Sequence, residues 1–304
     1  MSEAPVHDDR DDLRAWMEGI AARTEAALDR ALPPASQAPG RLHEAMRYAV
    51  LGGGKRVRPL LCHAAGAVFG APVDALDAAA AAIEMIHVYS LVHDDMPAMD
   101  DDAMRRGKPT VHVAYDEATA LLVGDALQSQ AFETIAACPV PATQQVALTR
   151  ELAHASGSLG MAGGQTIDLM SVGVALDRPA LETMHRMKTG ALLRAAVRLG
   201  ALCAPQAPDA AAREALDAYA AAVGLAFQVV DDILDVTVDS ATLGKTAGKD
   251  AENDKPTYVS LLGLDEARAL ARALRADAGR ALEPFGARAR RLRELADFVV
   301  ERAY

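Results

Sequence analysis

Two aspartate-rich stretches contain the residues best suited to do chemistry. His93-Asp94-Asp95-Met96-Pro97-Ala98-Met99-Asp100-Asp101-Asp102 sets five carboxylates within nine positions, and Asp231-Asp232-Ile233-Leu234-Asp235 sets three within five. Carboxylates this close disfavour one another's ionisation. The apolar run Ala78–Val92, broken only by Glu84, His87, Tyr89 and Ser90, leads into the first, and a second long apolar pattern leads into the other. The negative pole at each helix C-terminus adds to the repulsion. Most aspartate runs are solvated loops. These two end patterns that belong in a protein interior, so a hard divalent cation such as Mg²⁺, bound through carboxylate oxygens, is the simpler reading. Asp94 and Asp100 straddle a turn broken by Pro97 and can reach one ion. Asp231 and Asp235 are four apart and share a helical face.

The cations supply a complementary signal. Lys55, Arg56 and Arg58 follow Gly52-Gly53-Gly54; Arg105-Arg106 follow the first acidic stretch; Lys188 adjoins Thr189; Lys245, Lys249 and Lys255 punctuate residues 239–255. Guanidinium forks and ammonium point charges suit phosphate. A nucleotide P-loop is excluded: the first glycine of its spacing is missing, Arg56 stands where Ser or Thr is required, and no strand precedes it. His87 lies seven residues before Asp94 on roughly the same face, as a satisfied core histidine or a donor to phosphate. His93-Asp94 resembles the paired ligands of metal phosphohydrolases, but the further histidines of such sites are absent from suitable positions. Gln228, three before Asp231, needs a polar partner. Acidic motifs and cations around an apolar helical interior describe a site for a diphosphate head and a hydrocarbon tail. Metal-assisted departure of diphosphate leaves a carbocation that an electron-rich partner can capture, with no Ser-His or Cys-His nucleophile.

The elements that must position these groups are helical. Apolar spacing predicts helices over about Asp9–Leu32, Arg41–Val50, Pro59–Phe69, Ala75–Asp95, Val111–Ala137, Gln144–Leu159 and a short one to Met170. Others follow over Pro179–Leu202, Ala210–Val236, Thr257–Leu262, Asp265–Leu282 and Gly286–Arg302. Lys188-Thr189-Gly190 predicts a kink inside Pro179–Leu202. The pattern of 75–95 is apolar nearly all round, as in a central buried helix. Residues 239–255 read as loop and 1–8 as disordered. No strand, splitting linker or solenoid period is evident, so the expectation is an all-α fold with one domain over 9–304.

Composition narrows the function. The chain has 304 residues, 51% hydrophobic and 4% aromatic, with net charge −11. That balance argues against a nucleic-acid partner. The three cysteines have no disulfide or metal spacing, which suits a reducing compartment. The acidic N-terminus is unlike a targeting signal, and no uncharged apolar run reaches the ~20 residues of a membrane span. The expectation is a cytoplasmic protein.

The motifs together resemble the trans-isoprenyl diphosphate synthases, most closely the bacterial enzymes that make the fifteen-carbon farnesyl product. The matching segments are LGGGKRVRP at 51–59, HVYSLVHDDMPAMDDDAMRRGKPT at 87–110, GDALQ at 124–128, GGQTIDL at 163–169, KTGALL at 188–193, FQVVDDILD at 227–235 and TLGKTAGKDAENDKPTY at 242–258. The resemblance implies an isoprenoid (terpenoid) synthase fold around a central cavity, a homodimer, and condensation of isopentenyl diphosphate with dimethylallyl or geranyl diphosphate. It implies Mg²⁺, three per site with substrate, with Mn²⁺ able to substitute. The implied ligands are Asp94, Asp100 and Asp231, with Asp235 helping through water and Asp95 supporting. Arg105, Lys188, Thr189, Gln228, Lys245 and Lys255 resemble the allylic-diphosphate contacts, with Lys188, Arg105 and Lys245 closest to the chemistry. Lys55, Arg58, His87 and Arg106 resemble the isopentenyl-diphosphate contacts. The family uses no protein base; the released diphosphate takes the proton.

Ser90 and Tyr89 lie four and five residues before Asp94, about 6–7.5 Å along the helix. A bulky Tyr89 there is expected to floor the cavity and stop growth at fifteen carbons; ten and twenty are the alternatives. A class I terpene cyclase shares the fold but lacks the second aspartate motif and the second set of cations. A non-catalytic synthase subunit typically loses one aspartate motif, and both are intact here. Relatives commonly end in a basic tail, whereas this chain ends Glu301-Arg302-Ala303-Tyr304.

Overall fold

The computed structural model describes residues 9–174, 176–238 and 256–301. Helices α1 (Asp9–Ala31), α2 (Gly40–Val50), α3 (Val57–Val68) and α4 (Val73–Asp94) come first. A two-residue antiparallel ribbon, β1 (Met104–Arg105) with β2 (Lys108–Pro109), follows. Then come α5 (Val111–Ala114), α6 (Glu117–Ala136), α7 (Ala142–Ser156), α8 (Met161–Met170) and α9 (Arg178–His185). A π-helical turn, Arg186–Gly190, leads into α10 (Ala191–Leu202) and α11 (Ala210–Thr237). Helices α12 (Tyr258–Leu262), α13 (Leu264–Ala281) and α14 (Arg290–Glu301) close the described chain.

Helix α4 is the central element. Its buried residues run from Ala75 to Val92 on every side, and α1, α3, α6 and α10 pack around it. Alanine makes up much of this surface, so the neighbouring backbones approach closely. The helix is long and apolar enough to cross a membrane by length and composition, but 78% of that stretch is buried inside the fold. Around it, one cluster of buried apolar side chains extends from Ile20 on α1 to Val300 on α14. Thr24, the one polar residue on the α1 stripe, satisfies its hydroxyl on Ile20 O at 2.8 Å.

Three local expectations are corrected. A β-ribbon occurs where none was expected, because Asp101, Arg106 and Gly107 adopt positive φ and turn the chain back on itself. The helix expected over Val111–Ala137 is two: Tyr115 leaves helical geometry, and Asp116 caps α6 by accepting Thr119 N at 2.7 Å. The kink at Lys188-Thr189-Gly190 is a full π-helical turn, a form that concentrates at functional sites.

Candidate active site

The first acidic stretch folds back on the end of α4. Asp100 N donates to Asp94 O at 2.9 Å, and Asp102 N donates to Asp95 O at 3.0 Å, which brings Asp100 alongside Asp94. The ribbon then returns Arg105 to the same place. Its Nε donates to Asp95 Oδ1 at 2.9 Å, Nη2 donates to the same oxygen, and Nη2 also reaches Asp102. Asp95 is 3% exposed. Burial pushes its carboxyl above the ordinary range, with Arg105 pulling the other way. Burial also opposes the Arg105 cation, but its bonds to Asp95 and the nearby Asp94 and Asp100 hold its pKa above the usual value. Asp95 is thus the anchor of Arg105.

A second group comes from α8 and the π turn. Gln165 Nε2 donates to Asp94 Oδ1 at 2.6 Å. Lys188 Nζ donates to Asp168 Oδ2 at 2.6 Å and lies 3.9 Å from Asp94 Oδ2. Gly164 permits this: a Cβ there would meet Lys188 N at 2.0 Å, so any side chain would push the π turn off α8. Thr189 is half-buried in the same turn.

Helix α11 carries the second motif. Asp209 caps its start by accepting Ala212 N at 2.8 Å. Gln228 Nε2 lies 3.1 Å from His185 Nδ1, which answers its need for a partner. Burial lowers the His185 pKa to about 4, so the ring is neutral. Asp231 is half-buried, whereas Asp232 and Asp235 are buried. Asp232 Oδ2 accepts Tyr258 N at 2.7 Å.

The cationic corner lies where α3 meets α4. Arg56 is not on its open side. It adopts φ +46°, a conformation costing roughly 1–2 kcal/mol for a residue other than glycine. Its guanidinium offsets that cost by binding Glu84, Glu25 and Val50 O, each at 2.7 Å. Glu25 also accepts Gly52 N and Gly53 N, pinning the glycine loop; Arg56 and these N–H groups hold it below the usual carboxylate range against the effect of burial. Arg58 is 9% exposed and its Nε has no hydrogen-bond partner among the described residues. Burial lowers it to about 10, with Glu84 and Asp231 favouring the charge and Arg106 opposing it. Burial, followed by Arg58, Arg106, Arg105 and Arg56, keeps His87 neutral, far below its ordinary pKa. Arg106 Nη1 donates to Gly53 O at 3.2 Å. Gly54, at φ +122°, leaves no room for a Cβ beside that guanidinium. Lys55 is exposed on the loop. A buried Arg58 and an exposed Arg106 beside a neutral imidazole form a ready anion site.

Down α4, Tyr89 is buried, with its ring edge-on to His93 at 5.9 Å, and burial raises its phenol above the ordinary pKa. Ser90 Oγ donates to His87 O at 2.7 Å and is spent on its own helix. Lys245, Lys249 and Lys255 fall outside the described residues, as do residues 1–8.

Sequence reasoning assigned no role to Gln165, Asp168, Asp232, His185, Glu84 or Glu25. The GGQTIDL segment and the lone acid in the apolar run of α4 were usable signals for three of them. Nothing in the sequence singled out Glu25. Among the described residues, no cluster of three or more His, Cys, Asp or Glu is already gathered as a metal site. The donors on offer at Asp94, Asp100 and Asp231 are all carboxylate oxygens. They fit a hard cation that completes its shell with water and phosphate oxygens, rather than a caged ion.

Comparison with known proteins agrees with this chemistry. The polyprenyl synthetase family profile matches residues 39–283. The chain is 56% identical over 282 residues, covering 92% of this chain and 85% of the other, to a probable farnesyl diphosphate synthase of Bradyrhizobium diazoefficiens. It is 47% identical over 297 residues, covering 96% and 99%, to the farnesyl diphosphate synthase of Escherichia coli. The structure of an FPP/GFPP synthase from Zymomonas mobilis superposes with TM-score 0.85 at 43% identity, covering 95% and 99% of the two chains. The all-α architecture, the two aspartate motifs and these matches make the chain a member of the polyprenyl synthetase family.

Proposed function

We propose that the chain is a farnesyl diphosphate synthase, condensing isopentenyl diphosphate with dimethylallyl and then geranyl diphosphate. The observation that supports this reading is that cations gather in two places near the leading aspartates. One is the Arg58–His87–Arg106 corner, where the buried Arg58 Nε has no partner among the described residues. The other is the Arg105–Lys188 group beside Asp94. Two sets fit two diphosphates, one for each substrate.

In this reading, Arg105, Lys188, Thr189, Gln228, Lys245 and Lys255 hold the allylic diphosphate, while Lys55, Arg58, His87 and Arg106 hold isopentenyl diphosphate. Asp94, Asp100, Asp231 and Asp235 would hold Mg²⁺, which when bound supplies Lewis acidity to the leaving diphosphate; three ions per site, or Mn²⁺ in their place, belong to the same reading. The carbon–oxygen bond to the allylic carbon breaks and the pair of electrons leaves with diphosphate. Lys188 and Arg105 stabilise that developing negative charge. The double bond of isopentenyl diphosphate attacks the allylic cation, and the released diphosphate takes the proton lost from the new chain. His87, kept neutral, donates a hydrogen bond without adding a further cation. Tyr89 ends the cavity and limits the product to fifteen carbons.

Exposed Leu121 and Leu122 on α6 and Val146 on α7 support a homodimer. A single domain over 9–304, acting in the cytoplasm, completes the reading. The test is dimethylallyl or geranyl diphosphate with labelled isopentenyl diphosphate and Mg²⁺, read as product chain length. A fifteen-carbon product is expected, and absence of any isopentenyl-dependent product overturns the proposal.

A further inference from the structure

The second acidic motif contains an aspartate engaged with the backbone. Asp232 is 6% exposed, and Oδ2 accepts Tyr258 N from 26 residues further along the chain. Tyr258 is fully buried, and its ring stacks on His185 with centroids 5.5 Å apart and planes 24° apart. His185, the last residue of α9, meets Gln228 at 3.1 Å. Gln228 and Asp232 are four residues apart on α11, so the contacts form a closed circuit: Gln228, His185, Tyr258, Asp232 and back along one helical turn. The circuit ties α9, and the π turn that follows it with Lys188 and Thr189, to α11 and α12.

We propose that Asp232 and His185 are positioning residues, which hold Gln228 through this circuit. This rests on Gln228 serving the allylic substrate, as read above. An amide with one nitrogen committed to an imidazole keeps its oxygen and a second N–H for other work, and its orientation is set by that commitment. The imidazole is held in turn by the ring stacked on it, and the tyrosine by its backbone bond to Asp232. An oxygen that accepts a buried N–H is costly to divert, because the N–H would then be left unsatisfied. In this assignment the first two carboxylates of the motif divide their tasks: Asp231 faces the site, and Asp232 braces its wall.

The experiment compares Asp232→Asn, Asp232→Ala and His185→Phe with the parent enzyme, measuring kcat and KM for each substrate and the Mg²⁺ midpoint. Asn keeps the acceptor oxygen, so activity within about threefold of parent and an unchanged Mg²⁺ midpoint are expected. Asp232→Ala should lower kcat/KM for the allylic substrate by about tenfold or more, the cost of one buried bond, with KM for isopentenyl diphosphate unchanged. His185→Phe keeps the stack and loses the acceptor; it should reproduce the allylic-specific loss, and adding Gln228→Ala should cost little further. The inference is overturned if Asn is as damaging as Ala, if Asp232→Asn raises the Mg²⁺ midpoint, or if Asp232→Ala remains at parent level. Should Asp232→Ala not fold, additive losses in the His185–Gln228 pair overturn it instead. A parent with no isopentenyl-dependent activity overturns the proposed function as well, which distinguishes the two failures.

Discussion

The two aspartate motifs share a sequence pattern but are built differently. In both, the leading aspartate, Asp94 or Asp231, is half-buried and the next, Asp95 or Asp232, is buried. At the end of α4 the buried partner is a cation, Arg105, returned by a tight ribbon ten residues later. On α11 the described partner is a backbone N–H from a different part of the fold. The first motif therefore closes locally, and its charge is balanced by a residue that itself faces the site. The second depends on tertiary contacts and serves as a joint between helices. A run of aspartates is thus not a set of equivalent ligands: in each leading pair, burial separates the first carboxylate, which can meet solvent and substrate, from the second, which holds the wall.

The comparison is best challenged at the leading positions. Asp94→Asn and Asp231→Asn should each lower kcat by roughly 10²–10³-fold and raise the Mg²⁺ needed, because each removes charge aimed at the reaction. Chelation of divalent ions should abolish the parent's activity and restore it on readdition. A leading-aspartate variant that loses rate with an unchanged Mg²⁺ midpoint would break the parallel between the motifs. Asp95→Asn tests the local side: Arg105 loses the charge that fixes it, and about a tenfold rise in KM for the allylic substrate is expected with little change in Mg²⁺ dependence. Asp168→Asn should loosen Lys188 in the same direction by several-fold, read as kcat for the allylic substrate at saturating isopentenyl diphosphate. The smallest effect on rate is expected at Tyr89→Ala, with kcat within a few-fold of parent. Its products, resolved by chain length, should extend beyond fifteen carbons; an unchanged distribution would show that Tyr89 does not form the floor.

Much of this was legible in the sequence because its signals are local. The all-round apolar pattern of 75–95 identified the central helix, and the aspartate spacing identified both motifs. Sequence reasoning erred where a local pattern was overruled by one turn. The ribbon at Met104–Pro109 depends on positive φ at Asp101 and Arg106, residues whose types do not require it. The break at Tyr115 left the apolar pattern of α5 and α6 continuous across it. Arg56 is the clearest case in the site: between Lys55 and Arg58 it reads as one of three phosphate-seeking cations. The structure turns it inward to Glu84 and Glu25, where an unpaired charge would be prohibitively costly.

The sequence by itself determined the all-α class, the central helix, the two acidic motifs and the family, because each depends on residue type and short spacing along one chain. Only the tertiary structure decided the partners: Asp95 with Arg105, Lys188 with Asp168, Gln228 with His185, and Asp232 with Tyr258. Burial sets these choices. A polar group removed from water must take whichever donor or acceptor the packing brings to it, and that neighbour can be far away along the chain.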